Sequence, residues 1–337
     1  MVPVLKYTSL GKSGLKISVV GLGFWQAGSR FWGWTDYSSV SKSVIDGVGA
    51  ALETNINFLD TAEVYGGGLS ERVVGEAVRI HGRDNFIVAS KVAGYRVTSG
   101  SIVGGVENIN RRLGFTVDLI QLHWPPPYPW PLCWSIRGLE EAVSRGLAHY
   151  YGLSNFPSSL LEEALNCSKR FEPVSNQVQY SLAYRVPELK LKGLMERYNL
   201  ALIAWSPLAK GALAGLREAK TSAQRGDKVF SVASSDSTLL DTVSRIAAKY
   251  NASMSQVALA WLIAKRAVPI PGFRDPSRVR EYAGAARLRI SEDDLEALDE
   301  VSIKYLRIWG EDYGELRTLR YIPAFIQRIA ITLMGGI

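Results

Sequence analysis

With 337 residues, 47% hydrophobic and 21% charged, the chain is ordinary for a globular protein with a sizeable core, in one large or two average domains. Its formal net charge of +7 admits nucleic acid, an acidic membrane surface or a phosphorylated small molecule as partner. No arginine stripe interleaved with aromatics and no zinc-finger spacing is present, so nucleic acid is set aside. The two cysteines, Cys133 and Cys167, show no metal or redox spacing, which fits a reducing cytoplasm. The opening "MVPVLKYTSLGKSG" lacks the apolar core of a signal peptide, and no uninterrupted apolar run approaches the roughly 20 residues of a membrane span.

In chain order, "KYTSLGKSGLKIS" reads as a small hairpin turning at Gly11–Gly14. Eight short β-rich runs follow, at 17–23, 57–62, 86–92, 118–124, 150–155, 176–180, 201–207 and 267–272. Most are too apolar for a strand with one wet face, which fits parallel strands covered by helices. Helical periodicity fills the gaps. It predicts helices over 37–55 with a serine cap, 69–80 from Ser70, 101–114 stopped by Gly114, 137–149, 158–170, 187–199, 237–251, 253–266, and 291–306 behind a Ser-x-x-Asp capping box. This alternation predicts an α/β fold of (β/α)8 barrel type. An open doubly wound sheet is the alternative, but "GLGFWQAG" has only the first glycine pair of a dinucleotide fingerprint. Residues 1–310 read as one barrel domain. Residues 311–337 read as an extension, either a pocket loop or a packed amphipathic tail, with "RYIPAFIQRIAITLMGGI" expected to dock on the body or on another copy ahead of a membrane surface.

Active-site groups of such barrels sit at the C-terminal strand ends. There the sequence sets Asp60, soon followed by Tyr65, then Ser90–Lys91, Gln121 and His123, Ser154–Asn155, Asn176, Gln177 and Gln179, and Ser206. Singly each has a plain structural alternative: a cap, a loop tyrosine, a snorkelling lysine, a core histidine. Their succession around one rim argues for chemistry. A lysine beside a phenol is expected to lower its pKa, an aspartate to hold the lysine charged, and a histidine to orient a reacting oxygen. The set suits moving a proton to or from a carbonyl oxygen without a metal.

At these residues the chain resembles the aldo-keto reductase family, over about 5–305. "DTAEVYGGGLSERVVGEAV" resembles its signature segment, with Asp60 and Tyr65. "IVASKV" supplies Lys91 and "DLIQLHWP" supplies His123, completing a catalytic tetrad. "YYGLSNF" and "SNQVQYSL" resemble the segments that hold the nicotinamide carboxamide, implying Ser154, Asn155 and Gln177. "IAWSPLAKGAL" resembles the pyrophosphate loop, implying Trp205, Ser206, Pro207, Leu208 and Gly211. "IPGFRDPSRVREYAGA" resembles the adenosine segment, implying Gly272, Arg274, Arg278, Glu281 and Tyr282, where Tyr282 replaces a frequent asparagine. Trp25 joins the cofactor residues. "SNF", "WSPLAKG" and "IPG" resemble the branch with bacterial general reductases and potassium-channel β-subunits.

The resemblance implies a cytoplasmic enzyme for reversible hydride transfer between NADP(H) and aldehydes or ketones, with Tyr65 as general acid. Arg274 and Arg278 favour NADP(H) over NAD(H). A redox-sensing regulatory subunit with slow turnover is the second reading, and a non-enzymatic ligand-binding barrel the third. "HWPPPYPWPLCW" (123–134) is expected to wall the substrate pocket. Its prolines stiffen it, and Trp124 and Trp130, with Trp32 and Trp34 of the first loop, are read as an aromatic entrance for aromatic or medium-chain aldehydes. Trp309 and Tyr313 are further candidates to reach the substrate. The expected partners are a small carbonyl compound and, in an oligomer, other copies of the chain.

Overall fold

The computed structural model describes residues 6–310 and 314–336. A two-stranded antiparallel hairpin, β1 (Tyr7–Ser9) and β2 (Lys16–Ser18), precedes eight parallel strands. These are β3 (Leu22–Gly23), β4 (Phe58–Asp60), β5 (Ile87–Val92), β6 (Val117–Leu122), β7 (Ala148–Ser154), β8 (Ser175–Gln179), β9 (Ala201–Trp205) and β10 (Ala267–Pro269). They are hydrogen-bonded in sequence order. Gly21 N–H donates to the Pro269 carbonyl (2.9 Å), Gly23 N–H donates to the Pro271 carbonyl (3.1 Å), and a Gly23–Gly272 bridge joins the two edges. The eight expected strands are all present and the sheet closes into a (β/α)8 barrel.

The close approach at that seam needs glycine. A Cβ on Gly23 would lie 2.8 Å from the Ile270 carbonyl oxygen. Elsewhere the two-residue repeat of a strand sorts the side chains. Phe58, Ala89, Leu119 and Ile203 point into the barrel, where they pack with Leu10 and Ile17 of the hairpin, which plugs the bottom. Leu59, Val88, Ile120 and Leu202 point out into the helical layer. One step further along each strand, the inward positions are Asp60, Lys91, Gln121 and Gln177. The apolar floor therefore gives way to a polar layer at the C-terminal mouth.

The helices lie close to the expected spans, with shifts at their ends. Asp36, not a serine, caps the helix Tyr37–Thr54 by accepting from Ser39 N–H at 2.8 Å. Ser70 does not cap the helix Leu69–His81, which begins one residue earlier. Its buried hydroxyl shares a 2.7 Å hydrogen bond with the Thr61 hydroxyl. The predicted helix at 101–114 begins earlier, at Ser99, behind a Thr98/Ser101 capping box.

The reading of the cysteines needs correction. Cys133 and Cys167 are joined by a disulfide, their Cα atoms 5.0 Å apart. The pairing is invisible at a separation of 34 residues because it is made by packing, between the helices Leu132–Ser144 and Ser158–Cys167. It removes the argument from unpaired thiols to a reducing compartment. In the tail, the helix Ala324–Leu333 packs on the body through buried Gln327 and half-buried Ile331, while most of its large apolar residues stay exposed. Among the described residues no helix is long and apolar enough to cross a membrane.

Candidate active site

The polar layer is one hydrogen-bonded cluster. Lys91 Nζ donates to Asp60 Oδ1, to the Thr61 carbonyl (2.9 Å) and to Tyr65 Oη (3.2 Å). Asp60 Oδ2 accepts from Gln121 Nε2 (3.0 Å) and Gln177 Nε2 (2.8 Å). The His123 ring meets the Tyr65 ring edge-on at 5.5 Å. Register explains the meeting: Asp60 pairs with Ala89, and Lys91 with Gln121, while His123 N–H donates to the Val92 carbonyl one residue past β6. Tyr65 reaches the cluster from the loop that follows β4. The sequence's four candidates thus converge.

Burial decides the electrostatics. It raises the Tyr65 phenol above its ordinary 10.0, and Lys91 opposes without reversing this. That corrects the expectation of a lowered phenol. Burial alone would pull Lys91 down, but Asp60 and Tyr65 outweigh it and its pKa is raised. Burial and the Lys91 charge hold His123 well below its ordinary 6.5, so the imidazole is neutral near pH 7. Ser90, on the outward side of β5, has a different duty: its hydroxyl donates to Glu71 Oε1, and Glu71 in turn accepts from Arg112.

A cavity of about 610 Å³ opens from Tyr65 and His123, within the usual range for ligand sites. Of the residues expected to hold a cofactor, Trp25, Ser154, Asn155, Gln177, Trp205, Ser206, Pro207, Leu208, Gly211, Gly272, Arg278 and Tyr282 line it. Asn155, at a left-handed φ of 61°, ties the His123 and Trp205 segments together: its Nδ2 donates to the His123 carbonyl (2.8 Å) and its Oδ1 accepts from Trp205 Nε1 (2.9 Å). Left-handed residues at Ser206, Ala209, Lys210 and Gly211 fold the next loop along the cavity.

Glu281 and Arg274 do not line the cavity. Glu281 accepts from Ser253 Oγ (2.6 Å) and Arg278 Nη1 (2.6 Å), so it aims the arginine. Arg274 donates to the Trp32 carbonyl and lies 5.6 Å over the Trp34 ring. Tyr282 hydroxyl donates to the Gly272 carbonyl (3.0 Å), closing the far end.

Of the expected substrate aromatics, Trp32 lines the cavity and Trp34, Trp124 and Trp130 do not. Trp34 packs on the core under Arg274. Trp124 is buried, its Nε1 donating to Gln327 Oε1 (2.9 Å). Trp130 sits on the surface against Trp134. Trp309 stacks on Tyr184 and donates to the Ala183 carbonyl, away from the cavity. Tyr313 falls outside the described residues. Lining residues that the sequence did not single out include Gln26, Lys210, Lys220, Gln224, Ser255 and Leu316. Lys210 stood inside the quoted "WSPLAKG", and Leu316 lies just past Tyr313.

The aldo/keto reductase family model matches residues 19–303. The chain belongs to the aldo/keto reductase family. This reductase is 32% identical to the chloroplastic pyridoxal reductase of Arabidopsis thaliana, over 85% of this chain and 83% of that one. It is 29% identical to a potassium-channel β-subunit-like protein of Schizosaccharomyces pombe, over 87% and 92%. Among solved structures, the thermostable aldo-keto reductase Tm1743, crystallised with the inhibitor epalrestat, superposes with a TM-score of 0.75 at 29% identity, over 88% and 100%. Aldo/keto reductases are oxidoreductases acting on carbonyl compounds, and this chain is one of them.

Proposed function

We propose that this protein reduces aldehydes and ketones with NADPH, with Tyr65 as the proton donor. The observation that carries the reading is the single cluster of Tyr65, Lys91, Asp60 and His123 at the end of a cavity long enough to run from Gln177 to Arg278. The cavity fits a dinucleotide. Ser206 Oγ, Trp25 Nε1 and Gln26 Oε1 are buried without a hydrogen-bond partner there, as polar groups waiting for a polar ligand would be. Lys210, Lys220 and Arg278 add positive charge along the lining, which suits a diphosphate and a 2′-phosphate.

When bound, the reduced nicotinamide supplies hydride to the carbonyl carbon. Tyr65 gives its proton to the carbonyl oxygen, and Lys91, kept charged by Asp60, stabilises the phenolate left behind. His123 is neutral, so its part is a hydrogen bond that orients the oxygen rather than a second proton. Trp25, Trp32, Trp205 and Leu316 make the lining largely aromatic and apolar, which favours aromatic or medium-chain carbonyls. The test is NADPH oxidation over a panel of aldehydes, ketones and quinones that includes pyridoxal. Benzaldehyde-type substrates should be turned over faster than short hydrophilic ones, and equal rates would refute the selectivity.

A second reading, a redox-sensing subunit with slow turnover, draws on the Lys210–Asp227 ion pair and the Gln224 to Lys210 carbonyl bond, which brace the loop over the cavity. Cofactor release far slower than hydride transfer would favour it.

A further inference from the structure

We propose that the outward face of the helix Ala324–Leu333, with the aromatic surface beside it, docks this protein on an anionic lipid bilayer. The helix is seated by a narrow inner edge. Gln327, 3% exposed, accepts from Trp124 Nε1 and donates to the Leu319 and Ile322 carbonyls (2.7 and 2.8 Å). Gln327 is thus turned inward beside half-buried Ile331, and the other large apolar residues are turned outward: Phe325 is 65% exposed, Ile329 54% and Leu333 78%, with Ile326 and Met334 also exposed. A water-facing helix has the opposite arrangement.

The neighbouring surface is aromatic. Tyr321 and Tyr128, both exposed, have ring centroids 5.8 Å apart, and the Arg320 guanidinium lies 4.0 Å over the Tyr128 ring. Two residues on, exposed Trp130 packs against Trp134. Tyrosine and tryptophan with an apolar body and a polar tip are the side chains that settle at the headgroup level.

Charge chooses the occupant. The helix face carries the exposed Arg328, residues 316–336 and 123–136 contain no aspartate or glutamate, and the whole chain carries +7. An anionic headgroup layer complements that surface. A second copy does not: a two-fold contact through this helix would set Arg328 of both copies into one interface. The helix is also about 15 Å long, short for the roughly 800 Å² per partner of a stable dimer. A helix of this kind lies in the bilayer plane with its apolar face at the acyl boundary. The inner edge of the same helix holds Trp124, the neighbour of His123, so the helix lies beside the catalytic end of the barrel.

The experiment is flotation of the full chain with vesicles of phosphatidylcholine, alone and with phosphatidylglycerol added. It is repeated for Ile329→Glu/Leu333→Glu and for Arg328→Glu, with sedimentation velocity in parallel. The parent should float with the phosphatidylglycerol vesicles, less at high salt. Both variants should bind at least about tenfold more weakly, while reducing a water-soluble aldehyde at the parent rate. These positions touch neither the core nor the cavity, so the variants should fold. Absence of flotation would overturn the proposal, as would equal flotation of parent and variants or equal flotation on neutral vesicles. Self-association abolished by Ile329→Glu/Leu333→Glu, without vesicle binding, would give the face to a second copy instead. Vesicle binding is read without turnover, so its failure is distinct from failure of the reductase reading.

Discussion

In the proposed mechanism, burial gives Tyr65 and His123 different parts. A phenol raised above 10.0 keeps its proton through neutrality, and an imidazole held well below 6.5 stays neutral there. The expected kcat/KM for carbonyl reduction is therefore flat from about pH 7 to pH 9 and falls only where the phenol itself ionises, near or above its ordinary range. Alcohol oxidation, which needs the phenolate, should instead rise with pH toward the same limit. A falling limb centred near pH 6.5 in the reduction profile would assign the acid to His123. At the other end of the cavity, Arg278 is aimed by Glu281 and Arg274 is engaged with Trp32. Arg278→Ala should raise the KM for NADPH about tenfold or more, as loss of a charge-assisted phosphate contact does, and leave that for NADH little changed. Equal effects on the two cofactors would remove the proposed 2′-phosphate contact.

At the scale of elements, what could be read from the sequence was what local pattern controls. The apolar runs of β4 to β7 and β9 and the turn glycines are visible because strand burial and backbone conformation are local properties. Asp60, Lys91 and His123 were legible for a related reason: each is polar where its strand's run should be apolar. Contacts made only by packing were not. Trp124 follows His123 in sequence, yet it belongs to Gln327, 203 residues away. Arg274 and Arg278 share a segment, yet opposite neighbours claim them. The Cys133–Cys167 bond is the plainest case. It ties the N-terminal turn of the helix after the proline-rich loop to the end of the next helix. Closing a loop of this length is worth about 3–4 kcal/mol in the chain-entropy model. Reduction, or Cys133→Ser with Cys167→Ser, should lower the melting temperature by several degrees and leave kcat intact, because neither cysteine lines the cavity. An unchanged melting temperature under reducing conditions would show that the bond is not formed in solution.

Across the whole molecule, the barrel carries two gradients. Along its axis, an apolar floor sealed by the hairpin rises to a charged layer. Around its mouth, the cavity runs from the tyrosine to the paired Arg278 and Glu281, with the tail packed beside the catalytic end through Leu316, Leu319 and Ile331. The first gradient makes Lys91 and Asp60 a buried pair, and the proposed mechanism has that pair hold Tyr65 ready to give up its proton. That claim is tested most directly by Tyr65→Phe, measured for NADPH binding by energy transfer from protein fluorescence and for single-turnover reduction of an aromatic aldehyde. The ring is kept and the proton removed, so binding should be unchanged and the rate should fall at least about a hundredfold. Full-rate reduction by the phenylalanine variant would contradict the account.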